Sequence, residues 1–137
     1  MSNTKPIGVA FTDQDIIGAQ YILSDEQFGY TANAQGTVTQ ATSKSTAVTL
    51  NKSAGQITMN NASLAATTNV TFTLTNSLLS AKDVVIVNVA SANATAGAYN
   101  CWISSMLAGS CTITLRNITA GSLSEAVVIN FAIIHNA

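Results

Sequence analysis

Few residues in this chain have side chains suited to acid–base or nucleophilic chemistry. The only histidine is His135, two positions before the last residue. General acid–base catalysis needs an imidazole held against a partner group within a site, and residues at a chain end are seldom held so firmly. We therefore predict that His135 is an exposed or interface residue at a strand end, and that the chain is not an enzyme.

Two carboxylates at alternate positions, Asp13 and Asp15, resemble the start of a calcium-binding loop. Such loops also need further oxygen ligands at fixed spacing, among them a downstream glutamate. Gly18 lies nearby, but no glutamate follows in register. We expect these carboxylates to be solvated or to pair with a basic residue of a neighbour, and we predict no metal site and no cofactor.

The two cysteines, Cys101 and Cys111, fall in a segment that predicts a β-hairpin over residues 99–116. A loop centred on Met106 would place them directly opposite each other, whereas a loop centred between Leu107 and Ala108 would not. Two cysteines are too few for a disulfide scaffold or, without further ligands, for a zinc site. We favour two free thiols that act as small apolar core residues.

Aromatic side chains are the remaining candidates for ligand binding, because an exposed ring can stack on a sugar. Tyr99 and Trp102 lie on a predicted strand. Aromatic residues bury a large apolar area wherever they pack. We therefore expect Trp102 to pack in a core or an interface rather than against a ligand.

The composition excludes several classes of protein. Only 8% of the residues are charged and the net charge is -1, whereas Asn, Ser and Thr make up about a third of the chain. The five basic residues are scattered, so no cluster of cations is available to bind nucleic acid. No apolar run is long enough to span a membrane. A neutral surface of hydroxyl and amide groups suits close packing of many copies, because it loses less on desolvation than a charged one.

Alternation of apolar and polar residues is the main structural signal from Gly36 onward. In the segments 70–75 and 111–116, apolar residues occupy one face and mostly threonine the other, as half-buried strands require. The segments 84–89 and 126–134 are apolar on both faces, which predicts central strands or strands whose outer face meets another subunit. About eight strands at short intervals predict an all-β fold, an antiparallel and jelly-roll-like β-sandwich.

Residues 1–35 differ from the rest of the chain in composition and in periodicity. They contain the only proline and four of the six acidic residues, and they show little periodicity. We predict an extended N-terminal arm over residues 1–35, followed by a β-sandwich domain over residues 36–137.

A weak internal repeat runs through the predicted sandwich. The segment 71–76 resembles 112–117, and the segment 85–90 resembles 127–132. Two hairpin-like units of similar design would give a sandwich of two related halves. The alternative is that any two strands rich in threonine and valine look alike.

Two longer motifs carry a resemblance to a known family. They are TQATSKSTAVTLNK at residues 39–52 and LRNITAGSLSEAVVINFAII at residues 115–134. With the opening KPIGVAFTDQDIIGA, they resemble a family of small virion structural proteins of tailed phages and prophages. The chain departs from the family's pattern at residues 52–54, where Lys-Ser-Ala stands in place of a common Lys-Pro-Cys, so no cysteine pairing carries over.

The resemblance implies a capsid decoration (cement) protein, a homotrimer on the outer capsid surface of the virion with the major capsid protein as its partner. The N-terminal arm would then make the capsid contacts, with candidate contact residues Phe11, Asp13, Asp15, Tyr21, Phe28 and Tyr30. The alternative is a receptor-binding head or tail fibre tip that recognises a host glycan.

Overall fold

The computed structural model describes residues 20–21, 23–90 and 94–136, and they form an all-β fold. A single turn of 3-10 helix, Ala32–Ala34, precedes the first strand. Eight strands follow in order: β1 (Gln35–Thr39), β2 (Val48–Thr49), β3 (Ala54–Thr58), β4 (Asn69–Thr75), β5 (Val84–Val89), β6 (Tyr99–Leu107), β7 (Ser110–Asn117) and β8 (Val128–Ile134). Within the described part of the chain, no helix has the length and apolarity that crossing a membrane would require.

The strands form two four-stranded sheets, which confirms the predicted eight-stranded sandwich. Sheet A has the order β1-β3-β8-β5, and sheet B has the order β2-β4-β7-β6. As in a jelly roll, eight strands pack as two facing sheets. The chain crosses from one sheet to the other at every connection except the hairpin between β6 and β7.

These crossings also explain a feature that the residue pattern did not predict. Four strand pairings are antiparallel, but β1 pairs with β3, and β2 with β4, in parallel. Parallel neighbours need a crossover connection. Here the strand that lies between them in sequence belongs to the opposite sheet, so the chain returns to the first sheet running in its original direction.

The core fills the space between the sheets and comes mainly from alternate residues of β3, β4, β7 and β8. Its buried members include Ile57, Phe72, Leu74, Ile113, Leu115, Ile129 and Phe131. In β3, β4 and β7 these are the inward positions of the period-two pattern, so sequence alternation located that part of the core correctly, whereas β8 was apolar on both faces. Burial of such side chains stabilises each by about 1.5–3 kcal/mol relative to exposure.

Two glycines have positions that a side chain would disturb. Gly109, in the turn of the β6–β7 hairpin, has a φ of 81°, which glycine adopts at no steric cost. Gly55 lies opposite Gly36, and a Cβ on Gly55 would lie 2.3 Å from the Gly36 carbonyl oxygen. Strands β1 and β3 therefore approach each other at a point where only glycine fits.

The sequence repeat corresponds to structural symmetry. The equivalent segments form β4 and β7, which pair in sheet B, and β5 and β8, which pair in sheet A. The units are not hairpins as predicted, because the two strands of each unit lie in different sheets. Equivalent residues meet at the centre of each pairing: Phe72 is opposite Ile113, and Asn88 is opposite Asn130. The two central pairings are therefore locally two-fold related, but the flanking strands are not: β2 joins β4 in parallel, whereas β6 joins β7 antiparallel.

Candidate functional site

The residues predicted to contact a capsid divide into two groups. Phe11, Asp13 and Asp15 lie outside the described residues. Tyr21 and Phe28 are 74% and 86% exposed, in a segment without strand or helix. Tyr30 is less exposed, and its hydroxyl donates a hydrogen bond to the Ile133 carbonyl oxygen on β8. The segment that leads into β1 therefore contacts sheet A instead of standing away from it.

Exposed apolar side chains gather at one end of the outer face of sheet A. Val84 on β5 lies opposite Ile134 on β8, and Ile86 is the next outward residue of β5. All three are 51–53% exposed. The apolar patch is defined here as these three residues together with Phe28 and Tyr30. Contiguous exposed apolar surface of this kind marks interaction sites more often than isolated exposed residues do.

A cavity of about 440 Å³ joins the two parts of the apolar patch. Its lining comes from residues 28–30 on one side and residues 132–135 on the other. The surrounding groups are predominantly apolar, with Phe28 and Ile134 both exposed at its margins. An apolar side chain from another molecule could enter here without displacing any charged group of sheet A.

A row of polar side chains crosses the middle of the same face. Thr37, Gln56, Asn130 and Asn88 lie opposite one another on the four successive strands. The first three contribute to a groove of about 540 Å³. The Asn130 Oδ1 atom is buried and accepts no hydrogen bond. Native structures leave few buried acceptors unpaired, so this oxygen, which is covered within the chain itself, is an unusual feature of the polar row.

The outer face of sheet A has no charged side chain among its strand residues. The outward residues are Gln35, Thr37, Thr39, Ala54, Gln56, Thr58, Val84, Ile86, Asn88, Val128, Asn130, Ala132 and Ile134. A face without charge does not repel a second copy of itself, and it buries at low desolvation cost. The low charge content of the sequence is therefore most pronounced on the outer face of sheet A.

Buried polar residues at one end of the sandwich escaped the sequence analysis. Gln40 and Lys44 are only 2% and 3% exposed. The Gln40 side chain donates to the Lys44 and Thr46 carbonyl oxygens and accepts from the Asn60 backbone N–H. The loop after β1 is thereby attached to the end of β3. Their position within the mostly polar segment TQATSKST, residues 39–46, gave no signal of burial.

The Lys44 amine is held by backbone oxygens. It donates to the carbonyl oxygens of Asn60 and Glu125, at 2.5 Å each. Burial lowers the pKa of Lys44, and the nearby Glu125 carboxylate partly opposes that effect. The arrangement closes this end of the sandwich, with no substrate-sized opening beside the amine among the cavities described above, and we assign it a structural role.

Glu125 itself is bound by Thr95. Its carboxylate accepts hydrogen bonds from the Thr95 hydroxyl at 2.5 Å and from the Thr95 backbone N–H at 3.0 Å. These bonds lower the pKa of Glu125. The buried Tyr99 hydroxyl makes no hydrogen bond of ordinary geometry, and burial together with the neighbouring Glu125 carboxylate raises the pKa of Tyr99.

His135 contacts a carboxylate, as acid–base chemistry would require, but the pair joins two chain segments. Its Nδ1 atom lies 2.8 Å from Asp83 Oδ1, and the imidazole is 61% exposed. The buried Asp83 carboxylate also accepts from the Ser80 backbone and hydroxyl and from the Asn136 backbone N–H. These hydrogen bonds, those of Ser80 foremost, hold the pKa of Asp83 well below its usual range. The carboxylate fastens the end of the chain to the turn before β5.

The cysteines lie in different cross-strand pairs. Cys101 is opposite Leu115, and Cys111 is opposite Met106, because the hairpin turns at residues 108–109 and a β-bulge interrupts β6 between Ile103 and Ser105. Both are present as free thiols, and Cys111 is buried in the core. The observed turn is therefore neither the loop centred on Met106 nor the loop centred between Leu107 and Ala108.

Trp102 is not a core residue. It lies opposite Thr114 on the outer face of sheet B, while its neighbours Cys101 and Ile103 pack against the core. The ring is partly buried against its own sheet. The expectation of a core position is therefore wrong, and that of an interface position stays a prediction.

The described residues contain no group of three side chains arranged to hold a metal ion. Comparison with protein-family models, curated proteins and solved structures finds no match for the chain. The candidate site therefore rests on the geometry of sheet A, with the apolar patch at one end and the polar row at its centre.

Proposed function

We propose that this chain is a structural virion protein of a tailed phage, a capsid decoration protein that forms a homotrimer and binds the major capsid protein on the outer capsid surface. The observation that carries the proposal is the apolar patch on an uncharged sheet face. The resemblance of residues 39–52 and 115–134 to phage virion proteins supports a phage virion as the assembly in which this interface is used.

The composition of sheet A suits an interface between subunits. Protein interfaces combine an apolar centre, depleted in charge, with a polar rim that supplies hydrogen bonds. Sheet A offers both kinds of surface side by side: the apolar patch at one end of the face, and next to it the hydrogen-bonding row Thr37, Gln56, Asn130 and Asn88. Val84, Ile86 and Ile134 are about half exposed, so full burial would stabilise the association by about 1 kcal/mol for each side chain.

The position of β5 adds to this support. Both β5 and β8 were predicted from their two apolar faces to be central strands or to meet another subunit. β8 is central, whereas β5 is hydrogen-bonded on one side only, at the edge of sheet A. An edge strand with exposed Val84 and Ile86 and no lysine or proline lacks the usual protection against association. In a protein that assembles, such an edge is available for contact with another subunit.

The exposed segment before β1 is suited to a second contact. Tyr21 and Leu23 are 74% and 89% exposed and lie outside the apolar patch. In the proposed assembly they bind the major capsid protein, while the sandwich binds its own copies. Each contact can be weak, because linked copies on a symmetric shell gain affinity by avidity.

The experiment is a binding assay on undecorated shells assembled from the major capsid protein of the phage that carries this chain. The full chain is compared with a deletion of residues 1–27, which retains the Tyr30 contact with β8 and the whole of β1. The expected result is that the full chain co-sediments with shells, and that the deletion remains trimeric but stays in solution.

The outcomes separate the parts of the proposal. Equal binding by the deletion would show that the arm is not the capsid contact. No binding by a trimeric full chain would overturn the assignment as a decoration protein.

A further inference from the structure

The outer face of sheet B carries a second surface feature, centred on the only tryptophan. Trp102 lies on β6 with Thr114 beside it on β7 and Thr71 next on β4. The adjoining row, on one side, consists of Asn100, Arg116 and Asn69. Hydroxyl-bearing residues of the same three strands, Ser104, Thr112 and Thr73, lie on the other side.

Hydrogen bonds order the hydroxyl groups on this face. Thr114 Oγ1 lies 2.8 Å from Thr71 Oγ1 and 2.9 Å from Ser104 Oγ. The Ser104 hydroxyl in turn lies 2.9 Å from Thr112 Oγ1. A connected network of this kind fixes the side chains before any ligand arrives, which lowers the entropic cost of binding.

Thr114, the cross-strand partner of Trp102, is covered by its neighbours. Thr114 faces outward, since Ile113 and Leu115 on either side of it are core residues, yet it is only 3% exposed. The outward side chains on the flanking strands, of which Trp102 is the largest, must therefore cover it. Trp102 itself is partly exposed, so part of its side chain remains accessible to a ligand.

The backbone beside Trp102 is also irregular. A β-bulge falls between Ile103 and Ser105, directly after the tryptophan. Bulges re-aim side chains and occur frequently next to binding sites. Ser104 faces the same surface as Trp102 by alternation, where its hydroxyl meets Thr112 and Thr114, and the bulge turns Ser105 to that surface as well.

From this geometry we infer that the outer face of sheet B is a glycan-binding site, in which a pyranose ring stacks on Trp102. The apolar C–H face of a sugar matches an indole ring, while its hydroxyl groups require donors and acceptors at the ring's margin. Asn100 and Arg116 are exposed on one margin, and Ser104 and Thr112 lie on the other. The site lies on the sheet opposite the apolar patch, so it does not depend on the proposed assembly and is compatible with it.

Arg116 determines which class of oligosaccharide the site prefers. It is the only charged side chain among the outward strand residues of sheet B, which are Thr49, Asn69, Thr71, Thr73, Thr75, Asn100, Trp102, Ser104, Ser105, Leu107, Ser110, Thr112, Thr114 and Arg116. A guanidinium binds carboxylate groups in a bidentate manner and also donates to neutral hydroxyls. Acidic oligosaccharides should therefore bind more tightly than neutral ones of the same length.

The test uses the single tryptophan as its own probe. The full chain is titrated with oligosaccharides of glucose, mannose, galactose and N-acetylglucosamine, and with sialyl-lactose as an acidic probe, while tryptophan fluorescence is recorded. The expected result is a saturable change in fluorescence with at least one of these sugars. Arg116→Gln should weaken binding of the acidic probe by about tenfold, equivalent to about 1.4 kcal/mol.

Variants at Trp102 locate the site by calorimetry, which needs no fluorophore. Trp102→Ala should abolish sugar binding, whereas Trp102→Phe should retain part of it; thermal melts verify that both variants fold. Binding that survives in Trp102→Ala would overturn the inference, as would the absence of binding across the whole panel. A fluorescence change that follows protein concentration instead of sugar would show that the face contacts protein, which also contradicts a glycan site.

Discussion

Asn76 and Asn117 make matching hydrogen bonds at the ends of two paired strands. The Asn76 backbone N–H donates to the Gly109 carbonyl, and that of Asn117 donates to the Thr68 carbonyl. Each carboxamide oxygen also accepts from the backbone N–H two residues later. Both side chains are fully buried. Because the two asparagines are equivalent positions of the sequence repeat, the repeat reflects a shared structural solution and not only a shared composition.

The first prediction concerns these asparagines. Asn117→Ala removes the acceptor of the turn and leaves the carbonyl oxygens of Leu64, Ala65 and Gly121 without its amide donor. Each of these carbonyl oxygens keeps at least one other donor, so the cost is that of several lost hydrogen bonds at about 0.5–1.5 kcal/mol each, and we expect a loss of about 2–4 kcal/mol in the free energy of unfolding. Asn76→Ala, with one such carbonyl, should lose less. Urea denaturation measures both, with exposed Asn100→Ala as the control; equal stability of Asn117→Ala and Asn100→Ala would contradict the account.

The second prediction concerns the orphan acceptor on sheet A. Asn130→Val removes a buried oxygen that has no hydrogen-bond partner and introduces a residue favoured in strands. We expect the dilute monomer to become more stable by about 1 kcal/mol. Asn88→Val is the matched control, because it makes the same substitution at the symmetry-equivalent, exposed position. A gain no larger than that of the control would show that the Asn130 oxygen is satisfied.

The third prediction is a pH dependence. The depressed pKa of Asp83 means that its contribution to stability is fully present above the unfolded value of about 3.9 and declines only as the pH falls further, through the folded pKa. The stability difference between the wild type and Asp83→Asn should therefore be constant from pH 8 to pH 5 and shrink below about pH 4. Both chains carry His135→Gln, so that the imidazole does not titrate in the comparison. A difference that changes near neutral pH would contradict the assignment.

The fourth prediction concerns thiol reactivity. Burial raises the pKa of Cys111 to about 11 and also raises that of Cys101, so few thiolates form at pH 8. A chromogenic disulfide reagent should modify the native chain slowly and both thiols rapidly in denaturant. Cys111→Ala should leave one thiol in the denatured chain and still react slowly when folded. Rapid native labelling of both positions would show that the hairpin opens readily.

Much of the fold follows from the sequence, because a half-buried strand shows its geometry in alternate residues. Thr71, Phe72 and Thr73 illustrate this: their alternation placed Phe72 in the core and the threonines outside. The parallel pairings of β1 and β2 were not predictable in the same way, since strand direction depends on which sheet the chain crosses to. A strand's own residues show which face is buried but do not identify its neighbour.

The candidate site was less predictable than the fold. The two apolar faces of residues 84–89 predicted either a central strand or a strand whose outer face meets another subunit, and the first alternative is wrong because β5 lies at a sheet edge. Gln40 and Lys44 were missed because polar residues in a polar loop normally remain exposed. The outward position of Trp102 was missed because a large aromatic ring is buried in most settings. In each case, the deciding information is a contact between residues distant in sequence.

The central claim is that the chain assembles through the apolar patch of sheet A, and its molar mass in solution tests this most directly. Sedimentation equilibrium should give three times the chain mass of 14.1 kDa. Ile86→Asp should reduce the mass toward that of a monomer, whereas Ile118→Asp, at a position of similar exposure outside the patch, should leave the trimer intact. A wild-type chain that remains strictly monomeric at high concentration, or an Ile86→Asp variant that still forms trimers, would contradict the account.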